Sequence, residues 1–152
     1  MPGADPLAAA GARPSGPEPA FIAAFTAAWH APSAERLVAL LHEDVVLRQP
    51  SQPPIHGRAA ALADFRRLFA WLPALRGEVD RAHGADGLVF LEWRMLFPFG
   101  RHGLTLRAVD RFLLRDGLAI ERAVYFDQVP LIAAVLTHPA HWLGFVRYRA
   151  GR

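Results

Sequence analysis

One carboxylate stands where a strand-like segment should carry only apolar side chains. Every second residue from Leu104 onward forms one set, and a single member is charged; the set is Leu104, Leu106, Ala108, Asp110, Phe112 and Leu114. Alternation of this kind predicts that the set lies on the buried face of a strand. Asp110 therefore either pairs with a buried cation or borders a cavity, where it could orient a ligand group or act as a base.

Arg122 is the cation that we expect to pair with Asp110. The two strand-like segments that hold them are joined by Asp116-Gly117, a dipeptide typical of hairpin turns. A two-residue loop would set Arg111 opposite Arg122, and like charges across a strand pair are disfavoured. We therefore predict a three-residue loop with a bulge and an inward Asp110–Arg122 pair. Because a nearby cation favours the charged form, we expect Asp110 to be ionised.

Large apolar side chains from several segments are predicted to line one pocket. They are Phe25, Trp29, Leu47, Phe65, Phe69, Trp93, Met95, Leu106, Phe112, Val124 and Phe126, with the polar residues Gln49, Asp110 and Arg122 among them and His56 at the rim. Aromatic walls with a few oriented polar groups suit a flat or ring-shaped lipophilic ligand. The same side chains could equally form a plain core, and His56 could simply stabilise its Pro-rich loop.

The composition excludes several kinds of chemistry. The chain has no cysteine and no lysine, which removes disulfides, thiolate nucleophiles, Schiff bases and P-loops. All 17 basic residues are arginines scattered among acidic ones, so we expect no nucleic-acid partner. His138 and His141 lack a third ligand, so we expect no metal and no other cofactor. No apolar run reaches the roughly 18 residues of a membrane span, and we predict a cytoplasmic protein.

The elements that must position these residues follow from two periodicities. A helical period predicts helices from Pro19 to Pro32, after the N-cap Ser33 and over Arg58–Trp71, with a short strand over Asp44–Gln49. A period of two then predicts strands over Leu75–Ala85, Leu88–Phe97, Leu104–Arg115 and Leu118–Asp127. Helices followed by antiparallel strands indicate an α+β domain whose helices cover the apolar sheet face.

Three segments make up the predicted organisation of the chain. Residues 1–18 are rich in Pro, Gly and Ala and predict a disordered leader. The domain itself spans 19–136 and closes with a helical turn at Pro130–Leu136. The tail at 137–152 carries aromatic residues at helical spacing, so it could form a helix that docks on the body or on a partner.

Two stretches resemble the nuclear transport factor 2-like (cystatin-like) superfamily, in particular its SnoaL-like branch. QPPIHGR at Gln52–Arg58 is similar to a loop of bacterial ketosteroid isomerases, and VDRFLLRDGLAIERAVYFD at Val109–Asp127 resembles the last hairpin of limonene epoxide hydrolases and SnoaL-like polyketide cyclases. The resemblance covers residues 19 to 136. It implies a cone-shaped, curved antiparallel sheet closed by three N-terminal helices, a deep pocket and a homodimer.

The resemblance also implies where catalytic residues would stand. The ketosteroid isomerase base falls on Arg48 or Gln49, its oxyanion tyrosine on Phe25, and its protonated aspartate on Asp110. The epoxide hydrolase Asp-Arg-Asp set falls on Trp93, Met95 and Val124, and the acid/base aspartate of the cyclases falls on Val124 as well. Most of these positions hold side chains that cannot transfer a proton near neutral pH.

Three functions therefore stay open at this point. The first is a ligand-binding SnoaL-like module without the catalytic sets of its relatives. The second is an isomerase, cyclase or hydrolase with rearranged chemistry, in which Asp110 acts with Arg122, Gln49 and His56. The third is a dimeric scaffold that works through its outer sheet face and its C-terminal tail.

Overall fold

The computed structural model describes residues 16–151 as a six-stranded sheet with helices on its concave side. The helices are α1 (Glu18–His30), α2 (Ala34–Val38), α3 (Arg58–Trp71), α4 (Val129–Thr137) and α5 (Trp142–Ala150). The strands are β1 (Leu41–Arg48), β2 (Ile55–His56), β3 (Arg76–Ala85), β4 (Leu88–Phe97), β5 (Leu104–Arg115) and β6 (Leu118–Phe126). The α+β class is confirmed.

The sheet is open and has the strand order β2-β1-β6-β5-β4-β3. Every neighbouring pair is antiparallel except β1 and β6, which run parallel. This parallel pair joins the first strand of the chain to the last, so residues far apart in sequence meet in the middle of the sheet. β1 begins three residues before the predicted Asp44, because Leu41 already pairs with Ala119.

The first helix is tied to the sheet by a residue that was predicted to belong to the leader. Most of that leader lies outside the described residues, but Glu18 begins α1 and is buried. Its carboxylate accepts a hydrogen bond of 2.6 Å from the backbone N–H of Gly87 in the β3–β4 turn. The helix α1 therefore begins at Glu18, one residue before the predicted Pro19, and Glu18 contacts the distant β3–β4 turn.

The hairpin between β5 and β6 differs from the prediction in its loop. Arg115 pairs with Leu118, so the loop has two residues, Asp116 and Gly117, both at positive φ. A register shift between Leu113 and Leu114 adds one residue within β6 instead. Asp110 consequently lies opposite Val124 rather than opposite Arg122. The predicted three-residue loop was wrong, although the two charged residues still share one face of the sheet.

Aromatic packing fills the space between α1 and the sheet. Phe25 packs edge-on against Trp93 and Phe112, with ring centroids 5.6 and 5.4 Å apart. Trp29 contacts Trp93 at 4.8 Å. Gly77 of β3 permits this approach, since a Cβ there would lie 2.6 Å from the Trp93 ring. The end of the concave side nearest α1 is therefore solid core.

The C-terminal segment folds back over the other end of the concave side. A 3₁₀ turn over Pro139–His141 separates α4 from α5, and the Trp142 indole N–H donates to the Val135 carbonyl at 2.7 Å. Among the described residues no single helix is long and apolar enough to cross a membrane. α4 and the segment that ends with α5 reach that length and composition only together, and they are bent by 101° at the break.

Candidate functional site

A cavity of about 230 Å³ lies between the sheet, α3 and the two C-terminal helices. Its floor comes from the inner faces of β4 and β6, with Trp93, Met95, Val124 and Phe126. One wall comes from α3, and the opposite wall comes from α4 and α5. The loop after β1 lies at its edge. Strand β5 contributes no lining residue, because larger side chains from its neighbours cover it.

Eight of the residues predicted to form the pocket line this cavity. They are Trp29, Gln49, Phe65, Trp93, Met95, Arg122, Val124 and Phe126. They come from α1, the end of β1, α3, β4 and β6, so the sequence pattern identified the correct faces of these elements. These positions remain proposed binding residues.

The other predicted residues lie away from the cavity. Phe25, Leu47, Leu106 and Phe112 are buried in the solid core, and Phe69 packs on Trp29 at its edge. His56 is exposed in the short ladder between β2 and β1, where it pairs with Val46. The expectation that His56 stands at the rim is corrected, because pairing in β2 turns it to solvent. These six residues contribute to the fold rather than to the lining.

Asp110 is sealed beneath the cavity floor. Its side chain is 0% exposed, and both carboxylate oxygens accept hydrogen bonds. The Trp93 indole N–H donates to Oδ1 at 2.8 Å and the Arg122 Nε–H donates to Oδ2 at 2.6 Å. Because Trp93 and Arg122 both line the cavity while Asp110 does not, they separate the carboxylate from the open space. The expectation that Asp110 faces a ligand is corrected.

Burial acts on the Asp110 carboxylate in the direction opposite to its neighbouring cation. Burial raises the pKa of Asp110 above its usual value, because desolvation of the carboxylate outweighs the charge and hydrogen bond of Arg122 and the hydrogen bond of Trp93. The expectation of an ionised Asp110 took account of the neighbouring cation alone. The complete loss of water around the carboxylate follows from packing on both sides of β5, which the sequence pattern does not show.

Arg122 presents its guanidinium at the cavity floor. Only its Nε is used by Asp110, and its two terminal amino groups have no hydrogen-bond partner among residues 16–151. The guanidinium carbon lies 5.8 to 6.0 Å from the ring centroids of Phe112, Trp93 and Trp29. These rings hold the side chain in place at low conformational freedom. Arg122 can therefore offer N–H donors to a ligand without reorganising.

The carboxylate that does line the cavity, that of Asp64, was not predicted from the sequence. Asp64 of α3 is buried, accepts a hydrogen bond from Gln49 Nε2 at 3.2 Å and pairs with Arg67 at 3.2 Å. Its position in α3 is one residue before Phe65, which was recognised as inward-facing. An acidic residue beside the apolar stripe of a helix is usually solvated, so the pattern alone gave no signal.

The C-terminal helices supply a wall that was not predicted from the sequence either. Trp71 of α3 stacks on Tyr148 of α5 with ring centroids 5.5 Å apart and contacts Phe145 at 5.3 Å. Gly144 makes this contact possible, because a Cβ there would overlap the pyrrole ring of Trp71. The aromatic periodicity of the tail was visible in the sequence, but its docking site was not.

Three polar atoms around the cavity have no partner within the described part of the chain. They are the indole N–H groups of Trp29 and Trp71 and the side-chain oxygen of Gln52. All three residues line the cavity. Buried polar groups are nearly always hydrogen-bonded, so unpaired ones at a cavity indicate a place for a ligand or for water. The described residues contain no group of His, Cys, Asp and Glu that could hold a metal ion.

Comparison with known proteins identifies the family. The family model described as a SnoaL-like domain matches residues 22–122, well over half of the chain. The chain belongs to the SnoaL-like family. The match begins within α1 and ends at Arg122 in β6, so it includes Trp93 and Met95 of the cavity floor but not Val124 or Phe126. No curated protein sequence matches the chain.

Solved structures show the same fold for this SnoaL-like domain. A protein from Jannaschia sp. CCS1, described as a SnoaL-like polyketide cyclase, has a TM-score of 0.70 at 19% identity, over 82% of this chain and 97% of that one. TerC, co-crystallised with polyporic acid, also has a TM-score of 0.70 at 19% identity, and the similarity covers 80% of this chain and 99% of TerC. A protein from Catenulispora acidiphila with a ketosteroid isomerase-like fold has a TM-score of 0.67 at 16% identity, and the similarity covers 77% of this chain and 92% of that one. These similarities establish the architecture alone.

Proposed function

We propose that this SnoaL-like domain binds a compact, lipophilic ring compound in the cavity between α3, the sheet and the C-terminal helices. The observation that carries the proposal is a cavity of about 230 Å³ with aromatic walls and unpaired hydrogen-bond donors. Ligand pockets typically hold about 300–1,000 Å³, and an apolar cavity of about 150 Å³ accepts benzene. The volume therefore suits one or two fused rings rather than four.

The polar groups define which atoms such a ligand carries. Arg122 and the indoles of Trp29 and Trp71 offer only N–H donors, so each pairs best with an oxygen acceptor. The Asp110 carboxylate offsets the charge of Arg122, so the ligand oxygen need not be anionic. We propose a ring compound with a carbonyl or hydroxyl oxygen directed at Arg122. TerC, which shares the fold and was co-crystallised with polyporic acid, supports small organic ligands in this architecture.

Binding without turnover fits the residues at the positions where the relatives carry their catalytic groups. Phe25 lies in the core and has no hydroxyl, and Val124 and Met95 line the floor without a titratable group. Asp110 is the remaining match, and it contacts Trp93 and Arg122 instead of the cavity. These placements support a binding module.

An enzymatic alternative is favoured by one observation, the carboxylate of Asp64 on the cavity wall. It would act as the proton acceptor in place of Asp110, with Arg122 stabilising negative charge that develops on the ligand oxygen. Both of its oxygens already have partners, because Arg67 donates to Oδ1 and Gln49 donates to Oδ2, which leaves less room for a substrate proton. We therefore place this reaction second.

The outer sheet face supports a homodimer. Phe90, Val109, Leu113 and Tyr125 are each at least 39% exposed on that face, and neighbouring charges such as Arg94 already pair with carboxylates on β3. A mixed apolar and charged face is typical of subunit interfaces.

Two further proposals concern the organisation and the location of the protein. We propose that residues 137–152 belong to the binding domain, because α5 forms a wall of the cavity. We also propose that the protein works in the cytoplasm, because a chain without cysteine needs no oxidising compartment.

The test of the binding proposal is a calorimetric and thermal-shift comparison of matched ring compounds. 1-Naphthol and 1,4-naphthoquinone are compared with naphthalene, which has the same rings and no oxygen, and with a four-ring steroid ketone. We expect the bicyclic oxygen compounds to raise the melting temperature most, because only they fill the cavity and pair with the donors. Product analysis of the same mixtures detects turnover, which Asp64→Asn should abolish if the alternative holds.

A cavity-filling variant identifies the site. Leu68→Trp fills the α3 wall, and Leu62→Trp is its control because Leu62 is a half-buried leucine of the same helix that does not line the cavity. We expect Leu68→Trp to lose the ligand response and Leu62→Trp to keep it. A panel without any response from the parent protein contradicts the proposal and favours the scaffold function. Equal responses from both variants place the ligand elsewhere.

A further inference from the structure

The C-terminal helices carry an apolar surface on the side that faces away from the cavity. We define the C-terminal patch as the large apolar residues of α4 and α5 that are between 48% and 70% exposed and do not line the cavity: Val129, Leu136, Trp142, Leu143 and Val146. Val129 and Leu136 lie seven residues apart on α4, and Trp142 and Leu143 lie four and three residues before Val146 on α5, so each helix shows apolar side chains to solvent on one side. Exposed apolar patches of this kind mark interaction sites.

The charged side chains within the C-terminal segment have a single sign. From residue 128 to the end of the chain there is no aspartate and no glutamate, while three arginines and two histidines lie in that segment. Arg147 and Arg149 are exposed on α5, next to the stripe. The 14 acidic residues of the protein all precede this segment. The patch is therefore apolar and flanked by cations on α5, and the Asp127 carboxylate that accepts from the Val129 N–H stands only at the start of α4.

We propose that the C-terminal patch docks on an anionic membrane surface, with α4 and α5 lying in the headgroup region. Helices that bind membranes in this way combine an apolar face, tryptophan and flanking cations. Anionic lipids attract the arginines, and Trp142 has the amphipathic ring that favours the interface. The bend of 101° between the two helical segments keeps the pair from forming one straight span, so it lies on the surface instead.

A second copy of this chain fits the C-terminal patch less well than a lipid surface. A two-fold dimer places the same patch of both subunits together. The arginines of α5 would then face arginines, with no carboxylate in the segment to neutralise them. Lipid headgroups supply the missing negative charge, and acyl chains supply the missing apolar partner.

Docking would place the binding cavity beside the source of a lipophilic ligand. α4 and α5 have one side in the cavity wall, with Val135 and Phe145, and the other side in the C-terminal patch. A ligand that partitions into the bilayer would then be separated from the cavity only by the single layer formed by α4 and α5. The docking itself rests on the exposed residues and charges, and not on the proposed ligand, so either proposal can fail alone.

The test measures co-sedimentation of the full, ligand-free protein with vesicles of mixed phosphatidylglycerol and phosphatidylcholine, and with vesicles of phosphatidylcholine alone. We expect binding to the anionic vesicles that weakens as salt is added, because the headgroup attraction is screened. Brominated lipids report depth, since Trp142 is 48% exposed and the other three tryptophans are 9% exposed or less. Trp142→Phe should remove most of the quenching.

Two variants test separately the apolar residues of the C-terminal patch and the arginine beside them. Leu136→Glu combined with Leu143→Glu should lower the partition coefficient by about tenfold or more, because two apolar contacts become charged. Arg147→Gln should lower it about fivefold. The control Ala63→Glu combined with Ala70→Glu adds the same charges on α3, outside the patch, and should change it much less.

Three results would overturn the proposal. The first is no sedimentation with either vesicle, and the second is equal loss in the patch variant and in the α3 control. The third is that light scattering shows the parent protein to be an oligomer and the Leu136→Glu/Leu143→Glu variant to be a monomer, while the addition of vesicles does not change the oligomer. That last result would make the C-terminal patch an interface between copies.

Discussion

The buried ion pair beneath the cavity makes a quantitative prediction for Arg122→Met. The change removes the guanidinium that pairs with Asp110 at 2.6 Å and leaves the fully buried carboxylate with Trp93 as its remaining donor. Loss of one partner from a buried pair costs about 3–5 kcal/mol. Because Arg122 borders a cavity that water can enter, we expect the lower end, about 3 kcal/mol. For a chain of this size the melting temperature should fall by about 6–12 °C.

A double-mutant cycle separates the ion pair from simple packing. Asp110→Asn removes the charge and keeps most of the shape, so alone it should cost about 1–2 kcal/mol. In the Arg122→Met background it should instead restore about 1 kcal/mol or more, because it eliminates the unpaired buried charge. The free energies of unfolding come from urea titrations at neutral pH, with the slope of each transition checked for constancy.

A surface arginine of the neighbouring strand provides the control. Arg94 of β4 pairs with Asp80 and Glu78 on the outer face, where water screens the charges. Arg94→Met should therefore lower the melting temperature much less than Arg122→Met. The reasoning is refuted if the Arg122 and Asp110 effects add within about 0.5 kcal/mol, or if both arginine variants lose the same stability.

The remaining predictions concern pH, helix docking and assembly. Burial raises the pKa of Asp110 in the folded protein, so this group adds most stability in acid, and the contribution falls as pH rises through the folded pKa. The stability deficit of Asp110→Asn should accordingly be larger in acid than at neutral pH, where the ion pair with Arg122 is the contribution that remains, and a constant deficit contradicts this. Gly144→Ala drives a methyl group into Trp71 and should cost about 1–3 kcal/mol in urea unfolding; a neutral effect would show that α5 is loosely docked. Val109→Glu on the outer sheet face should convert a dimer to monomers in light scattering, and an unchanged mass would refute the proposed interface.

Local signals explain why several elements were predicted to the residue. The helix over Arg58–Trp71 and the strands over Leu88–Phe97 and Leu104–Arg115 match their predicted bounds. Each has a clear period and a strong terminator, such as Pro73 after the helix or a turn glycine between strands. The side of the sheet that is buried follows from the same alternation. These features depend on neighbours in the chain.

The hairpin that holds Asp110 shows where local reasoning reaches its limit. A three-residue loop and a two-residue loop with one extra residue in β6 both bring Asp110 and Arg122 to the same face. They differ in which residues stand opposite, and the structure selects the second arrangement. The choice depends on pairing along the whole hairpin and on the parallel contact with β1, which no turn dipeptide encodes.

By itself, the sequence determined the α+β class, the inward faces of helices and strands, and the presence of an Asp110–Arg122 pair, because periodicity and turn chemistry are local. Only the tertiary structure decided that Trp93 and Arg122 cover Asp110, that Asp64 lines the cavity, and that α5 closes it. Those facts depend on which large side chains of neighbouring strands and helices occupy the same space. That competition for volume is settled by packing between residues far apart in the chain.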